Sequence, residues 1–294
     1  MGGRFGRVLT AMVTPFTEDL SLDVDRAQEV ARWLVERGSD GLVVAGSTGE
    51  AATLTDDEKV TLWRAVAEAV QGKASVIAGS GTYDTAHSIH LTEEAEKAGV
   101  DGILAVTPYY NKPPQRGLVE HFSRIAGVTG LPVLLYNIPG RTALRIEHDT
   151  LLRLAEVDNI VGVKDSTADF DAISRLISEA PSGFEVYSGD DWATFGYCCL
   201  GAVGVISVAS HVVGDRMNRM VELVEQGDLG SARKIHEELL PIYRALFIVS
   251  NPIPVKAAMG LAGQPVGAPR LPLVPATEDE IGRVKAAMED VGAL

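Results

Sequence analysis

The sequence predicts a (β/α)8 TIM barrel with a C-terminal helical extension. Eight short apolar runs alternate along the chain with longer amphipathic stretches. The runs are almost continuously hydrophobic, which is typical of parallel strands that are covered on both faces. A chain of 294 residues, 46% hydrophobic and 22% charged, is long enough for one such barrel. A doubly wound sheet built from the same elements is the alternative.

The predicted strands are short runs rich in Val, Ile and Leu, which favour buried β-structure. In chain order they are VLTAM (8–12), GLVVA (41–45), SVIAG (75–79), GILAV (102–106), PVLLYN (132–137), IVGVK (160–164), FEVYS (184–188) and VGVIS (203–207).

Amphipathic helices are predicted between the strands, most clearly at 23–38, 55–72 and 85–99. In each of these segments apolar residues recur at spacings of three and four. Each segment ends with a glycine, which commonly terminates a helix. Asp56 and Asp84 stand at the expected helix starts, where a carboxylate complements the helix dipole.

The chain after the last strand has a mostly helical pattern, interrupted at NPIPVK (251–256). We therefore predict a barrel domain over residues 1–225, which includes the eighth barrel helix, and a helical extension over 226–294.

Composition argues against several classes of partner. A net charge of −14 disfavours nucleic acid and anionic membranes, and no apolar run reaches the length of a membrane span. The N-terminus lacks the long apolar region of a signal peptide. Cys198 and Cys199 are adjacent, so we expect them to be small core residues in a reducing compartment rather than a disulfide. These features predict a cytoplasmic enzyme.

Polar residues follow five of the predicted strands. They form GSTGE (46–50), TPYYNKP (107–113), YNIPGRT (136–142), KDST (164–167) and SGDD (188–191). Each segment alone is compatible with an ordinary loop. Because the carboxyl ends of barrel strands share one rim, the five together predict an active site there.

No cofactor or metal is expected at this rim. GSGTYD (79–84) has an aspartate where a dinucleotide fingerprint needs its last glycine, and GSTGE lacks the ending of a phosphate loop. His87, His90 and Glu94 share a helix face with metal-binding spacing, although a solvated surface explains them better.

Lys164 is the candidate nucleophile. Strand alternation places Ile160, Gly162 and Lys164 on one side and Val161, Val163 and Asp165 on the other. If Lys164 faces the barrel interior, partial desolvation favours a neutral amine that can form a Schiff base with a carbonyl substrate. A surface lysine is the alternative, and Lys256 in the extension is a weaker rival. Asp165 is expected to be structural.

Hydroxyl and cationic side chains around Lys164 can serve this chemistry. Tyr136 ends the neighbouring strand and can shuttle protons, with Ser47 and Tyr110 as its connection to solvent. Thr48 and the amides of residues 46–49 can hold a carboxylate, and Arg141 can bind a second one.

Taken together, GSTGE, TPYYNKPPQ, YNIPGRT, VKDST and SGDD resemble the dihydrodipicolinate synthase / N-acetylneuraminate lyase family, in order from LTAMVTPF (9–16) to NPIPVK. The resemblance implies a cofactor-free homotetramer made of two tight dimers. It also implies that Lys164 forms an imine with pyruvate and that Tyr110 reaches the neighbouring subunit's site. Gly189 and Ile206 would line the pocket.

Arg141 and the TPYYNKP loop resemble the synthase branch of the family, in which the arginine takes the carboxylate of aspartate semialdehyde. This implies condensation of pyruvate with L-aspartate 4-semialdehyde in diaminopimelate and lysine biosynthesis. Ser47 departs from the more usual synthase threonine, so N-acetylneuraminate lyase and 2-keto-3-deoxy sugar acid aldolase activities remain alternatives, as does a non-catalytic metabolite-binding barrel.

The positions that bind inhibitory lysine in the synthases also depart from the lysine-sensitive pattern, because a key glutamate is missing. We therefore expect weak or absent feedback. These positions are Ala51, Asp56, Lys59, Tyr83 and His87.

Overall fold

A computed structural model describes residues 2–294 and shows a closed barrel of eight parallel strands. The strands are β1 (Val8–Ala11), β2 (Gly41–Val44), β3 (Ser75–Gly79), β4 (Gly102–Val106), β5 (Val133–Asn137), β6 (Ile160–Asp165), β7 (Glu185–Ser188) and β8 (Gly204–Ser207). Each strand pairs with the next in chain order, and β1 pairs with β8 to close the barrel. The predicted barrel is therefore confirmed over the doubly wound sheet.

Twelve α-helices lie within the described residues 2–294. They are α1 (Val24–Glu36), α2 (Asp56–Val70), α3 (Thr85–Lys97), α4 (Gln115–Ala126), α5 (Pro139–Thr142), α6 (His148–Ala155), α7 (Phe170–Glu179), α8 (Thr194–Leu200), α9 (Ser210–Glu225), α10 (Leu229–Ala245), α11 (Ile253–Leu261) and α12 (Glu278–Asp290).

The helix starts predicted at Asp56 and Asp84 are confirmed. Asp56 is the first residue of α2, whose N-terminus is closed by a reciprocal pair of hydrogen bonds between Thr55 and Glu58. Asp84 caps α3 by accepting a hydrogen bond from the amide of Ala86 at 2.9 Å.

Two apolar layers hold the barrel together. Side chains from the strands fill its interior, among them Leu9, Leu134, Tyr136 and Ile206. A larger layer lies between the strands and the surrounding helices. The strands are thus buried on both faces, which explains why their sequences are continuously apolar.

The predicted side-chain alternation of β6 is wrong in its first half. Val161 packs in the barrel interior, whereas Ile160 joins the outer layer with Val163. The cause is a bulge: Val133 of β5 pairs with Ile160, but the next residue of β5 pairs with Gly162. The alternation recovers after the bulge, so Lys164 still lies opposite Tyr136.

Helices α10, α11 and α12 follow the last barrel helix, α9. The interruption expected at 251–256 lies earlier in the chain, at residues 246–252, because α10 ends at Ala245 and α11 already begins at Ile253. The division of the chain at residue 225 stays a prediction. In the described residues 2–294, no helix is both long and apolar enough to cross a membrane.

The expectation that both cysteines are core residues is wrong for one of them. Cys198 is buried, which raises the pKa of its thiol to about 12, but Cys199 is exposed. Adjacent residues of a helix such as α8 point about 100° apart, so only one can face the core.

Candidate active site

A cavity of about 390 Å³ lies at the carboxyl ends of the strands. Its walls come from the loops after β2, β3 and β4, from the end of β5, and from the segment before α11. They include Ser47, Lys59, Tyr109, Tyr136, Arg141 and Asn251. This is the rim at which the sequence places an active site.

Lys164 lies beside Tyr136 at this rim. The two residues pair across β5 and β6, and the Lys164 Nζ atom is 4.2 Å from the centroid of the Tyr136 ring. Both side chains are buried, each with 6% exposure. Lys164 is therefore an interior amine held against an aromatic face, not a surface residue.

Asp165 faces away from Lys164 and anchors the strand. Its carboxylate accepts hydrogen bonds from the hydroxyl of Tyr197 at 3.0 Å, the amide of Asn137 at 3.0 Å and the backbone N–H of Thr167 at 2.9 Å. These bonds fix the end of β6, which supports a structural role for Asp165.

Two further carboxylates lie near Lys164, and sequence reasoning noted them only as part of a loop. Burial raises the pKa of the Asp190 carboxyl to about 6, against the attraction of the Lys164 ammonium. Asp191 is fully buried and is held by the hydroxyl of Ser207 and the backbone N–H of Ala209. Both aspartates follow β7, which neighbours the strand that carries Lys164. This position in the sequence could have indicated that they lie near the lysine.

Gly189 directly follows β7, and Ile206 lies in the neighbouring strand β8. A Cβ atom on Gly189 would come within 2.0 Å of the Ser166 hydroxyl oxygen and 3.0 Å of the Asp165 carbonyl oxygen, so a larger residue there would require the Ser166 side chain to move. Its N–H donates to the Asp165 carbonyl at 2.7 Å, which keeps β7 close to β6. Ile206 is fully buried in the barrel interior in the same cluster as Tyr136.

The loop 46–49 lies between two non-glycine residues in the left-handed region, Ala45 at φ 56° and Glu50 at φ 55°. Ser47 is exposed and lines the cavity, whereas Thr48 is buried. Ser47 and Tyr136 line the same cavity, but their hydroxyls are not hydrogen-bonded to each other in the described chain. Catalytic hydrogen bonds of this kind commonly tighten only when substrate binds.

Arg141 is an exposed residue of the cavity wall, on the short helix α5. One of its guanidinium nitrogens donates to the carbonyl of Asn251 at 3.3 Å. The rest of the guanidinium fork is available to a carboxylate at the cavity mouth.

Tyr110 is not brought into the site of its own chain. Its side chain is 93% exposed, and its backbone has the left-handed φ of 72°. The preceding residue, Tyr109, lines the cavity instead and contacts Tyr83 edge to face.

Lys256, the rival nucleophile, is already engaged. Its Nζ atom lies 2.6 Å from the Glu50 carboxylate, both side chains are buried, and the ammonium lies over the ring of Phe16. Burial lowers the pKa of the Lys256 amine although Glu50 opposes the shift, so the direct contact with the carboxylate, and not protonation, makes Lys256 a poor candidate for the nucleophile.

On α3, two of the three residues with metal-binding spacing, His87 and Glu94, bond to other side chains. His87 hydrogen-bonds to Asp56 at 2.9 Å, and Glu94 forms an ion pair with Lys97 at 2.7 Å. Between residues 2 and 294 no group of three metal-ligating side chains is found.

A barrel that holds a buried lysine beside a tyrosine, at the carboxyl end of its sixth strand, has the arrangement of a Schiff-base-forming lyase. Comparison with known proteins narrows this class. The model of the dihydrodipicolinate synthetase family matches residues 4–291. The chain belongs to this family.

Among curated relatives, the 4-hydroxy-tetrahydrodipicolinate synthase of Moorella thermoacetica is 51% identical over 99% of this chain and 100% of its own. The structure of the enzyme from Cyanidioschyzon merolae with lysine bound has a TM-score of 0.97 and 44% identity, covering 99% of this chain and 100% of that one. The enzyme from Acinetobacter baumannii complexed with pyruvate has a TM-score of 0.95 and 36% identity, covering 100% and 99%.

Proposed function

We propose that this protein condenses pyruvate with L-aspartate 4-semialdehyde through an imine on Lys164, which is the reaction of 4-hydroxy-tetrahydrodipicolinate synthases. The observation that carries the proposal is the contact between Lys164 and Tyr136 beside a cavity whose mouth holds Arg141. The full-length similarity to synthases supports it.

The amine of Lys164 adds to the ketone carbon of pyruvate, and the carbinolamine loses water to give the imine. The imine withdraws electrons, so the methyl carbon loses a proton and becomes an enamine carbon. This carbon attacks the aldehyde, and the new alkoxide takes a proton. The amine of the second substrate then displaces Lys164 from the imine carbon and closes the ring.

These steps need a proton carrier, and Tyr136 is the proposed one. Its ring lies against the Lys164 ammonium, so its hydroxyl can serve both the carbinolamine and the new alcohol. Ser47, which lines the same cavity, and Tyr110 from a neighbouring subunit are proposed to extend the relay to solvent.

Two carboxylates have to be bound. Thr48 and the amides of the 46–49 loop are proposed to hold the pyruvate carboxylate, with Gly189 and Ile206 lining the pocket. Arg141, at the mouth of the cavity, is proposed to bind the carboxylate of the semialdehyde, because a guanidinium fork matches a carboxylate in a bidentate fashion.

Substrate preference tests this proposal. Turnover of pyruvate with aspartate semialdehyde should exceed cleavage of N-acetylneuraminate or of a 2-keto-3-deoxy sugar acid by orders of magnitude. An Arg141→Ala variant should raise KM for the semialdehyde and leave pyruvate binding unchanged. Normal handling of the semialdehyde by this variant would remove the basis for preferring the synthase activity.

We further propose a cytoplasmic homotetramer built as a dimer of dimers. The Tyr110 side chain is exposed and does not line the cavity of its own chain. This exposure supports an active site that is completed by Tyr110 of a second subunit.

A further inference from the structure

We infer that Asn251, which belongs to the segment before α11, sets the direction of the Thr48 hydroxyl and thereby determines pyruvate affinity. The inference rests on the proposed function, since it concerns the pyruvate carboxylate. It assigns a positioning role in the active site to the C-terminal part of the chain, which is far from the loop in sequence.

The contact that carries the inference is a buried hydrogen bond. The amide nitrogen of Asn251 donates to the hydroxyl oxygen of Thr48 at 2.8 Å. Asn251 and Thr48 are 5% and 4% exposed, so water does not compete for this bond. The two residues are 203 positions apart in the chain.

This bond constrains where the Thr48 proton points. A hydroxyl has one proton to donate and two lone pairs that accept. Asn251 is the donor in this bond, so the Thr48 hydroxyl does not donate its own proton to Asn251. That proton remains available to another acceptor. A carboxylate held by the 46–49 loop is such an acceptor, and a hydrogen bond to a charged group is stronger than one between neutral groups.

Within the described residues 2–294, the Asn251 side chain makes no hydrogen bond other than the one to Thr48. Its amide oxygen is buried without a hydrogen bond in the described part of the chain. A buried unsatisfied oxygen is unfavourable for folding. Its presence beside the cavity is accounted for if the amide is retained to orient Thr48.

A second contact holds the two segments in register. Lys256, in the first turns of α11, pairs with Glu50 at 2.6 Å, and Glu50 directly follows the loop that contains Thr48. The other carboxylate oxygen of Glu50 accepts from the backbone N–H of Arg270 at 2.8 Å. Residues 251–256 are therefore fixed on residues 48–50 at two points, by Asn251 and by Lys256.

The side chain and the backbone of Asn251 serve different residues, which makes the role testable. The side chain contacts Thr48, whereas the backbone carbonyl accepts from Arg141 at 3.3 Å. Replacing the side chain removes the first contact and keeps the second. Asn251→Ala should therefore weaken pyruvate binding without changing KM for the semialdehyde.

Borohydride trapping at increasing pyruvate concentrations measures pyruvate affinity without the second substrate. We expect Asn251→Ala to need about tenfold more pyruvate for half-maximal labelling of Lys164. Asn159→Ala is the matched control, because the Asn159 amide donates to backbone carbonyls at the opposite end of β6. This control should leave the pyruvate dependence unchanged even if it lowers stability.

A double-mutant cycle separates positioning from a general structural effect. In a Thr48→Val background, where no hydroxyl is left to orient, Asn251→Ala should have no further effect on pyruvate affinity. In a Thr48→Ser background the tenfold effect should persist. Equal effects of Asn251→Ala in the Val and Ser backgrounds would overturn the inference.

Asn251→Asp reverses the bond, because a carboxylate accepts the Thr48 proton. We expect weaker pyruvate binding than in Asn251→Ala, and wild-type affinity would also overturn the inference. If the wild-type protein itself traps no pyruvate, the proposed function fails. If the wild type is labelled normally and Asn251→Ala behaves like it, only the role of Asn251 fails.

Discussion

Lys164 and Tyr136 face each other because the bulge in β6 is over before the strand reaches the rim. The register after the bulge pairs the two residues, and the ring of Tyr136 then lies 4.2 Å from the amine. The ring and the hydroxyl of Tyr136 can be tested separately: the ring contacts the amine, and the hydroxyl is proposed to carry protons.

Tyr136→Phe keeps the ring under Lys164 and removes only the hydroxyl. We expect kcat to fall by about 10² to 10⁴, the usual contribution of a positioned proton carrier. The free energy of unfolding should change little, because the hydroxyl makes no hydrogen bond in the described chain. A steady-state assay and a urea titration measure the two effects, and an unchanged kcat would exclude Tyr136 as the proton carrier.

Asp190 gives the site a pH-dependent contribution to stability. Burial raises the pKa of this carboxyl to about 6, above its ordinary value of 3.8. Between those two values the folded protein binds more protons than the unfolded chain, so this residue lowers the free energy of unfolding as pH rises.

An Asp190→Asn variant lacks this contribution. Its stability relative to the wild type should therefore increase from pH 4 to pH 7, by about 2 to 3 kcal/mol in total. Urea denaturation of both proteins at several pH values gives the difference directly. A difference that is flat over this range would show that Asp190 does not titrate as the structure implies.

At the scale of elements, the first turn of α2 and the start of α3 meet beside the cavity. The Asp56 carboxylate lies between two basic side chains, 3.5 Å from the ammonium of Lys59 and 2.9 Å from the imidazole of His87. The Asp56 carboxylate is therefore already paired with two basic groups. The buried Lys59 ammonium would also repel the ammonium of a lysine molecule bound nearby.

Free lysine should consequently be a poor inhibitor. We expect little loss of activity at sub-millimolar lysine in a steady-state assay with both substrates near KM. As a control, the double variant Lys59→Ala, His87→Glu lacks the buried cation and gains a carboxylate. This variant should be more sensitive to inhibition by lysine than the wild type. Strong inhibition of the wild type at sub-millimolar lysine would contradict this expectation.

The elements themselves were largely predictable from the sequence. Strand bounds follow the apolar runs to within one or two residues, because parallel strands buried on both faces have few polar interruptions. The bulge at Val161 was not predictable, since it depends on how β6 pairs with β5 and not on local composition. The exposure of Cys199 likewise follows from the helix period of α8.

Contacts between distant segments could not be predicted in the same way. Lys164, Tyr136 and Arg141 were found because each stands at or just after the end of a strand. Asn251 and Glu50 were missed as interacting residues, because the hydrogen bond and the ion pair they make join the 46–49 loop to a helical region about 200 positions away. The local signs were two polar residues, Asn251 and Lys256, in a mostly apolar segment.

At the scale of the whole molecule, Tyr110 is the residue through which we propose that assembly affects catalysis. Its side chain is 93% exposed and does not line the cavity of its own chain, although the preceding residue, Tyr109, does. If Tyr110 completes a neighbouring site, two inactive variants should restore each other's activity in a mixed dimer.

Lys164→Ala and Tyr110→Phe provide this test. A mixed dimer contains one site with an intact Lys164 and an intact Tyr110 from the partner, so dissociating and reassociating the two variants together should recover activity. Each variant treated alone serves as the control. No recovery, with mixed dimers present by native mass spectrometry, would contradict a shared site.

The central claim is that Lys164 is the amine that forms an imine with pyruvate. Incubation with pyruvate and borohydride, followed by peptide mass spectrometry, tests it most directly. We predict that the mass of one reduced pyruvate is added to the peptide that carries Lys164, and that Lys164→Ala abolishes the labelling. Absence of labelling in the wild type, or labelling at Lys256 instead, would contradict the claim.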